Sequence, residues 1–274
     1  GSGFICREKG HIVKHLLIFE PQTRGHHLSW LRYIAEDFLS AGIDLTIAAD
    51  LRPESEKSVR QQLSDISSNI HLISAYDTSG KWRGGSKSRS IADCFEQSRA
   101  DEVFISNFDE VASSWLRRAC FGIYPPEILY GKISGIYFRP RFLENPYLPP
   151  GNIIKAVGFG KLCNSGWLKR IFLLDETLLN RTNRFQTRFH TLPDTWSGNF
   201  STSQSEARKI LNVPSDKFVF LHYGVGDKRK GLHLAIRAIC DHDSDFFLLC
   251  AGKLGTNSEI LDQLSQLEDK KQAK

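Results

Sequence analysis

The sequence predicts an α/β protein with two lobes, each built on a parallel, doubly wound sheet. Short apolar runs alternate along the 274 residues with segments of helical periodicity, which is the pattern of strands joined by crossover helices. A polar, turn-forming stretch interrupts this alternation, which then restarts. We therefore predict a first lobe at 14–192, a linker at 193–204 and the beginning of a second lobe at 205–274.

The first lobe opens with a buried strand, a turn and an amphipathic helix. The run HLLIFE at His15–Glu20 suits a strand buried on both faces, and apolar residues from Leu28 to Phe38 recur at helical spacing before Gly42. Further strands are predicted at 44–49, 70–75 and 102–106, and strand or core segments at 133–138, near 156–159, at 171–174 and at 189–192. Helices are predicted at 54–67, 91–99 and 111–120, with a loop at 76–90.

The second lobe repeats the pattern in fewer residues. Strands are predicted at 218–223 and 246–251, helices at 206–211, 232–239 and 260–267, and a Gly-rich basic turn at 224–231. Because two strands are too few for a stable doubly wound lobe, we expect this lobe to be incomplete.

The strongest motif is FVFLHYGVGDKRKGLHL at Phe218–Leu234. A buried strand leads into a turn in which Gly224 and Gly226 let the backbone approach a phosphate, and Lys228, Arg229 and Lys230 are predicted in the first helical turn. A helix N-terminus with nearby cations is an anion site. The turn matches neither the GxxxxGK[ST] nor the GxGxxG motif. An ordinary strand, turn and helix with a solvated basic face is the alternative.

This segment resembles the start of the donor lobe in glycosyltransferases of the GT-B fold, with two Rossmann-like lobes, and in particular the retaining family 4 group. Gly224, Lys230 and Gly231 match its pattern, although Val225 stands where many members carry Arg. The resemblance implies that Lys230, helped by Arg229, contacts the donor diphosphate. It also implies transfer, with retention, from a nucleoside diphosphate sugar to a hydroxyl of a sugar, a lipid-linked sugar or a small molecule.

The turn after the first strand resembles the Gly-rich first loop of the acceptor lobe in the same enzymes. Gly25 would free the backbone there, and His26 or His27 could donate a hydrogen bond to sugar or phosphate oxygens. The alternative is a helix start with two exposed histidines.

The loop after the fourth strand supplies two more candidates, Asn107 and Asp109. It lies at the carboxyl end of a strand, where ligands of open α/β sheets bind, and many relatives carry a His there. His26, Asn107 and Asp109 are the catalytic candidates, although a helix N-cap is the favoured role for Asp109. The family's two Glu residues, separated by seven positions, would lie beyond Lys274, so the catalytic carboxylates stay unassigned.

The composition favours anionic partners without favouring nucleic acid. The net charge of +5 suits phosphates, nucleotide sugars or an acidic membrane surface, and it is too dispersed for nucleic acid. The six cysteines form no CxxC pair, so we expect reduced thiols and no metal site. Without a spanning or signal segment, we expect a cytoplasmic protein, with peripheral contact at the inner face of the membrane as an option.

We therefore expect a GT-B-like glycosyltransferase that uses a nucleotide sugar as co-substrate and needs neither cofactor nor metal, because cations and helix N-termini can stabilise the leaving diphosphate. Two alternatives stay open. A nucleotide-sugar epimerase of the same fold would be favoured by a carboxylate or His placed for proton abstraction. A non-catalytic phospholigand- or membrane-binding module would be favoured by lipid binding without nucleotide affinity.

Overall fold

The computed structural model describes residues 13–23, 26–144, 149–192, 201–241, 246–253 and 260–265. The chain separates into two compact units, Gly1–Trp196 and Ser197–Lys274. Arg24 and Gly25, in the predicted first loop, and most of the predicted linker lie outside the described residues.

The first unit alternates strands and helices along the chain. Its strands are β1 His15–Glu20, β2 Asp44–Ala49, β3 Ile70–Ser74, β4 Glu102–Ile105, β5 Ile133–Tyr137, β6 Leu168–Leu173 and β7 Arg188–Thr191. Its helices are α1 His27–Ser40, α2 Pro53–Gln62, α3 Lys87–Ser98, α4 Asp109–Cys120, α5 Arg141–Glu144 and α6 Pro150–Asn164. Short 3-10 helices lie at Ser64–Asn69, Arg83–Gly85, Glu127–Leu129 and Glu176–Arg181.

The strands form one parallel sheet in the order β3-β2-β1-β4-β5-β6-β7. Parallel strands are buried on both faces, and two hydrophobic cores accordingly flank this sheet. One core joins α1 and α2 to residues such as Ile18 and Ile47. The other joins α3, α4 and α6 to residues such as Leu17 and Val103. The strand order reverses between β1 and β4, which makes their carboxyl ends the switch point of the sheet.

The helix after β1 buries the predicted face. Leu28, Leu31, Ile34, Ala35 and Phe38 are all buried, because their spacing of three and four residues places them on one side of α1. The predicted fold class, an α/β protein with parallel, doubly wound sheets, is confirmed.

Three local predictions differ from the structure. Residues Ala156–Phe159, predicted as a strand or core segment, are helical within α6, and Phe159 belongs to the hydrophobic core. Helix α3 begins at Lys87, within the predicted loop, because the Ser86 side chain accepts a hydrogen bond from the Arg89 N–H and caps the helix. The predicted helix at 54–67 ends at Gln62, and the chain continues as a 3-10 helix.

Helices α4 and α6 pack closely because of one glycine. A Cβ atom built on Gly158 would lie 1.7 Å from the Leu116 carbonyl oxygen, so the two backbones meet where a side chain would stand. The predicted strand or core segment near 156–159 contains this glycine. Its place in a helix depends on the contact with Leu116, which the sequence does not show.

The second unit contains α7 Gln204–Ile210, β8 Phe218–Tyr223, a 3-10 helix Lys228–Lys230, α8 Leu232–Asp241, β9 Phe246–Ala251 and a helical segment at 260–265. Strands β8 and β9 pair in parallel. Leu232, Ile236 and Ile260 form its small core. Phe218 and Tyr223 of β8 are exposed, so the described part of this sheet is not covered on both faces.

We expect Gly158→Ala to destabilise the first unit by about 1–3 kcal/mol, because the added methyl group forces α4 and α6 apart. Gly160→Ala is the matched control in the same helix, since its Cβ would meet only Phe185 at 3.6 Å. The control should gain about 0.5–1 kcal/mol from helix propensity. Denaturant titration measures both, and equal free energies of unfolding for the two variants would contradict this account of the helix contact.

Candidate functional site

The candidate site of the first unit lies at the switch point between β1 and β4. Glu20 ends β1, and Ser106 directly follows β4. Helix α1 begins at His27, and no side chain caps its first residues. Ligands of open α/β sheets bind in this crevice, where strand ends and helix N-termini meet.

The Glu20 carboxylate is the central group of the crevice, and it is 2% exposed. Its Oε1 accepts a hydrogen bond from the Gln22 N–H at 2.8 Å, and its Oε2 lies 2.8 Å from the Ser106 hydroxyl and 3.2 Å from His27 Nδ1. A buried carboxylate needs such donors because it has lost its water. The turn, the start of α1 and the end of β4 are thereby held together.

The same contact sets the protonation of His27. Its hydrogen bond to Glu20 raises the pKa of His27 above the ordinary value, against the opposing effect of burial, and the charge of Glu110 acts in the same direction as Glu20. Because a carboxylate only accepts hydrogen bonds, Nδ1 carries the proton and Nε2 is the basic nitrogen of the neutral ring. The His27 side chain keeps 26% of its surface exposed.

A second ion pair stands beside this dyad. Lys87, in the first turn of α3, contacts Glu110, in the first turn of α4, with 2.5 Å between Nζ and Oε2. Burial would raise the pKa of Glu110, but the Lys87 ammonium outweighs it and the pKa lies below the ordinary value. Gln22 also hydrogen-bonds to Glu110, which connects this pair to the turn that binds Glu20.

Asn107 has an unsatisfied group at the same place. Its Oδ1 is buried and has no hydrogen-bond partner among the described residues. Leaving a buried acceptor unpaired costs about 1–3 kcal/mol. A hydroxyl or N–H of a ligand bound beside Ser106 would remove that cost.

Asp109 has a different role from the predicted N-cap. It is the first residue of α4, and Phe108 occupies the cap position. Its two carboxylate oxygens accept hydrogen bonds from the Phe138 N–H at 2.8 Å and the Arg139 N–H at 3.1 Å. Burial raises the pKa of Asp109 above its ordinary value, against these two bonds. The N-cap prediction is wrong because the carboxylate instead ties the end of β5 to α4.

An aromatic cluster borders the ends of β2 and β3. The Tyr76 and Trp82 rings stack with centroids 4.4 Å apart, and the Arg52 guanidinium lies 4.1 Å from the Tyr76 centroid. Arg52 also forms an ion pair with the buried Asp50 at 2.8 Å. An open cavity of about 600 Å³ is lined by residues that include Arg52 and Tyr76. The Lys87 ammonium lies 5.1 Å from the Trp82 ring, so the cluster adjoins the ion pair.

In the second unit, the predicted phosphate turn follows β8. Lys228–Lys230 form a 3-10 helix that is separate from α8, contrary to the prediction that they belong to its first turn. The physical reason is that Gly231 adopts φ 76° between the two, while the Asp227 carboxylate accepts the Lys230 N–H at 2.9 Å. The three basic residues still lie between the end of β8 and the start of α8.

Two glycines let the ends of β8 and β9 meet. A Cβ on Gly252 would lie 2.0 Å from the Gly224 carbonyl oxygen, and the Gly224 N–H donates to the Ala251 carbonyl at 2.8 Å. Gly226 is buried and donates its N–H to the Lys253 carbonyl at 2.9 Å. The Lys230 side chain passes near Gly224, because a Cβ there would meet its Cε at 3.8 Å. Lys230 itself is exposed.

The structure therefore places the predicted residues in two groups. In the first unit, His27 and Asn107 lie at the switch point, and His26 is exposed with its ring stacked on that of His27 at 5.6 Å. Gly25 lies outside the described residues. In the second unit, Gly224, Gly226, Arg229 and Lys230 share one turn.

Sequence reasoning missed Glu20, Ser106, Lys87 and Glu110. A signal existed for Glu20, which is a charged residue at the end of an otherwise apolar buried run. No comparable signal marked Lys87 and Glu110, which lie 23 residues apart and meet only in the fold.

No group of three or more His, Cys, Asp or Glu side chains in the described ranges could hold a metal ion. Within the same ranges, no helix is both long and apolar enough to cross a membrane.

The fold is that of the GT-B-like α/β class, as solved structures of three proteins show. A glycosyltransferase from Rickettsia africae ESF-5 is 13% identical, with a TM-score of 0.54 over 94% of this chain and 65% of that one. UGT71G1 from Medicago truncatula, complexed with UDP-glucose, is 11% identical, with a TM-score of 0.53 over 94% and 70%. A sucrose-phosphate synthase from Thermosynechococcus elongatus is 10% identical, with a TM-score of 0.51 over 94% and 67%.

These likenesses show the fold alone, because the identities are so low. The chain spans just under two thirds of the Rickettsia protein's length. No protein-family model matches the sequence, and no curated protein matches it either.

We expect Glu20→Gln to lower the pKa of His27, because it removes the charge whose hydrogen bond raises that pKa. Titration of the His27 ring by nuclear magnetic resonance measures the shift. Glu36→Gln is the control, since Glu36 is on the same helix as His27 but pairs with Arg32. An unchanged His27 pKa in Glu20→Gln would mean that the two side chains do not interact in solution.

Proposed function

We propose that this protein is a glycosyltransferase that moves a sugar from a nucleoside diphosphate sugar to a hydroxyl acceptor. The observation that carries the proposal is the Glu20–His27 pair at the switch point of a GT-B-like fold. The similar structures include a glycosyltransferase and a protein complexed with UDP-glucose, which supports a nucleotide-sugar donor for this chain.

In this proposal His27 is the general base. Glu20 holds the Nδ1 proton and stabilises the positive ring that forms, while Nε2 takes the proton from the acceptor hydroxyl. The acceptor oxygen then attacks the anomeric carbon, and the bond from that carbon to the diphosphate breaks. We further propose that the Asn107 Oδ1, which is buried and unpaired among the described residues, accepts a hydrogen bond from the acceptor.

We propose that the turn after β8 binds the diphosphate of the donor. Lys230, with Arg229, would contact the diphosphate, and its stem already lies beside Gly224. Gly224 and Gly226 keep side chains away from that place. Cations and backbone N–H groups can carry the charge of the leaving diphosphate, so we propose a reaction without metal or organic cofactor. Cys94, Cys120, Cys163 and Cys250 are free thiols, which supports the proposed cytoplasmic location.

The first experiment tests the reaction class. The full-length protein is incubated with UDP-, GDP- and ADP-sugars and a panel of hydroxyl acceptors, and released nucleoside diphosphate and glycoside are measured. We expect one donor to be used. A protein that binds none of the three diphosphates and uses none of their sugars would contradict the proposal.

The stereochemical outcome separates two mechanisms. The family 4 resemblance implies retention at the anomeric carbon. A base at His27 instead favours a single displacement, which inverts that carbon. The anomeric coupling constant of the first product formed distinguishes them, and retention would remove His27 from the role of base without removing the transferase.

An epimerase is the second candidate, because the Glu20–His27 pair could also remove a proton from a sugar carbon. The two activities differ in heavy water. An epimerase incorporates deuterium into the sugar in the absence of acceptor, whereas a transferase leaves the carbon-bound hydrogens of the donor in place.

We expect Lys230→Ala to weaken nucleoside diphosphate binding by about 1.5–3 kcal/mol, the range for a hydrogen bond to a charged group. Isothermal titration calorimetry measures the loss. Lys209→Ala, an exposed cation on α7, is the matched control and should bind as the unaltered protein does. If the Lys230 variant keeps full affinity, the donor diphosphate is bound elsewhere.

We expect His27→Ala to lower kcat/KM about 10²- to 10⁴-fold, the usual contribution of a general base. Since the base must be neutral, activity should fall as the pH drops through the raised pKa of His27, and Glu20→Gln should move this acid limb to lower pH. His71→Ala, exposed on β3, is the control. An acid limb that does not move in Glu20→Gln argues against His27 as the base.

A further inference from the structure

The outer surface of α4 and α6 carries exposed apolar side chains. Phe121, directly after α4, is 73% exposed, and Ile153 and Val157 of α6 are 53% and 46% exposed. Single exposed apolar residues are ordinary, but a contiguous group marks a contact with another molecule or a membrane.

Two contacts place the last turn of α4 beside α6. Gly158 packs on the Leu116 backbone, and the Lys161 Nζ donates to the Cys120 carbonyl at 2.8 Å. Phe121 directly follows Cys120. Residues four apart lie on one face of a helix, so Ile153, Val157 and Lys161 form a stripe along α6 that ends at the last turn of α4. We name this group, together with Arg117 and Arg118, the α4–α6 surface.

The stretches of chain that form this surface carry basic residues and no acidic ones. No acidic residue occurs between Glu110 and Glu127, and none occurs between Glu144 and Asp175. Arg117 and Arg118 are exposed in the last turn of α4, and Lys161 lies in the last turn of α6. No ion pair found in the described part of the chain involves these three cations. These three cations therefore have no neutralising carboxylate among the described residues, and Lys161 also donates to the Cys120 carbonyl.

We propose that the α4–α6 surface binds the headgroup region of an anionic lipid bilayer. Phe121, Ile153 and Val157 would enter the boundary between headgroups and acyl chains, and the basic residues would lie among the lipid phosphates. Charge complementarity favours this occupant, because cations without a neutralising carboxylate lie beside exposed apolar side chains, which matches the phosphates and acyl chains of an anionic lipid. The assignment does not depend on the proposed transferase activity.

Vesicle flotation with the full-length protein tests the assignment. We expect the protein to float with vesicles of phosphatidylcholine and phosphatidylglycerol, and to float much less with phosphatidylcholine alone. High salt should weaken binding, because it screens the attraction between the cations and the lipid phosphates.

Two double variants separate the apolar from the electrostatic contribution. Arg117→Gln with Arg118→Gln should lower the partition coefficient about 30-fold, about fivefold for each charge. Phe121→Ser with Val157→Ser should lower it about 10- to 100-fold through lost apolar burial. Because these side chains are exposed, thermal unfolding should be nearly unchanged in both.

The controls alter the same residue types elsewhere. Ile210→Ser replaces a side chain that is 68% exposed on α7, and Lys57→Gln with Lys209→Gln removes two exposed cations of α2 and α7. Flotation should be unaffected by the first and reduced only slightly by the second.

Any of three results would overturn the proposal. The unaltered protein could fail to float with anionic vesicles, or the Phe121 and Val157 double variant could float as well as the Ile210 control. The third result is self-association of the protein that Phe121→Ser abolishes. The last result, measured by analytical ultracentrifugation, would assign the surface to a second copy of the chain.

Discussion

The Glu20 carboxylate, buried at the end of β1, is the group on which the geometry of the switch point depends. A buried carboxylate without donors costs several kcal/mol, and removing its partners would leave an uncompensated charge in the sheet. Its donors come from three segments: the turn after β1, the start of α1 and the end of β4. Satisfying one charge thus fixes where a strand, a helix and a neighbouring strand meet.

The same requirement connects the fold to the chemistry. The buried Glu20 carboxylate needs hydrogen-bond donors. His27 therefore keeps a proton on Nδ1, and its pKa is raised. Asp109 shows the opposite outcome for a carboxylate of the same edge. Both of its oxygens accept backbone N–H groups, so its function is to position β5 and α4. Two acidic residues at one sheet edge are therefore separated into different roles by the donors around them.

The strands were predictable where an apolar run is bounded by polar or turn residues. His15–Glu20 and Asp44–Ala49 in the first unit, and Phe218–Tyr223 and Phe246–Ala251 in the second, match the prediction at both ends. For Ala156–Phe159 the strand alternative is wrong, although Phe159 is in the core, because an apolar run with a glycine fits a strand locally. Its helical state depends on the approach of Gly158 to the Leu116 backbone, which the sequence does not display.

The candidate site was predictable only in part, for a similar reason. His27 and Asn107 were identified because they follow strands, which sequence periodicity can locate. Whether a side chain there can act on a ligand depends on its partner, and the partner of His27 is seven residues away across a turn. The basic turn was found from its motif, but its division into a 3-10 helix and α8 depends on the conformation of Gly231.

Ion pairs with carboxylates also decide which cations can contribute to anion binding. The net charge of +5 on the whole chain does not show where the positive charge lies. In the structure, Arg52 is neutralised by Asp50, Lys87 by Glu110 and Lys169 by Glu102. These cations order the sheet edges and contribute little field beyond them. The positive potential is therefore carried by cations without such a carboxylate, and Arg117 and Lys161 are among them. Weak overall basicity is thus compatible with a basic local surface, because ion pairs within the fold neutralise some of the cations elsewhere.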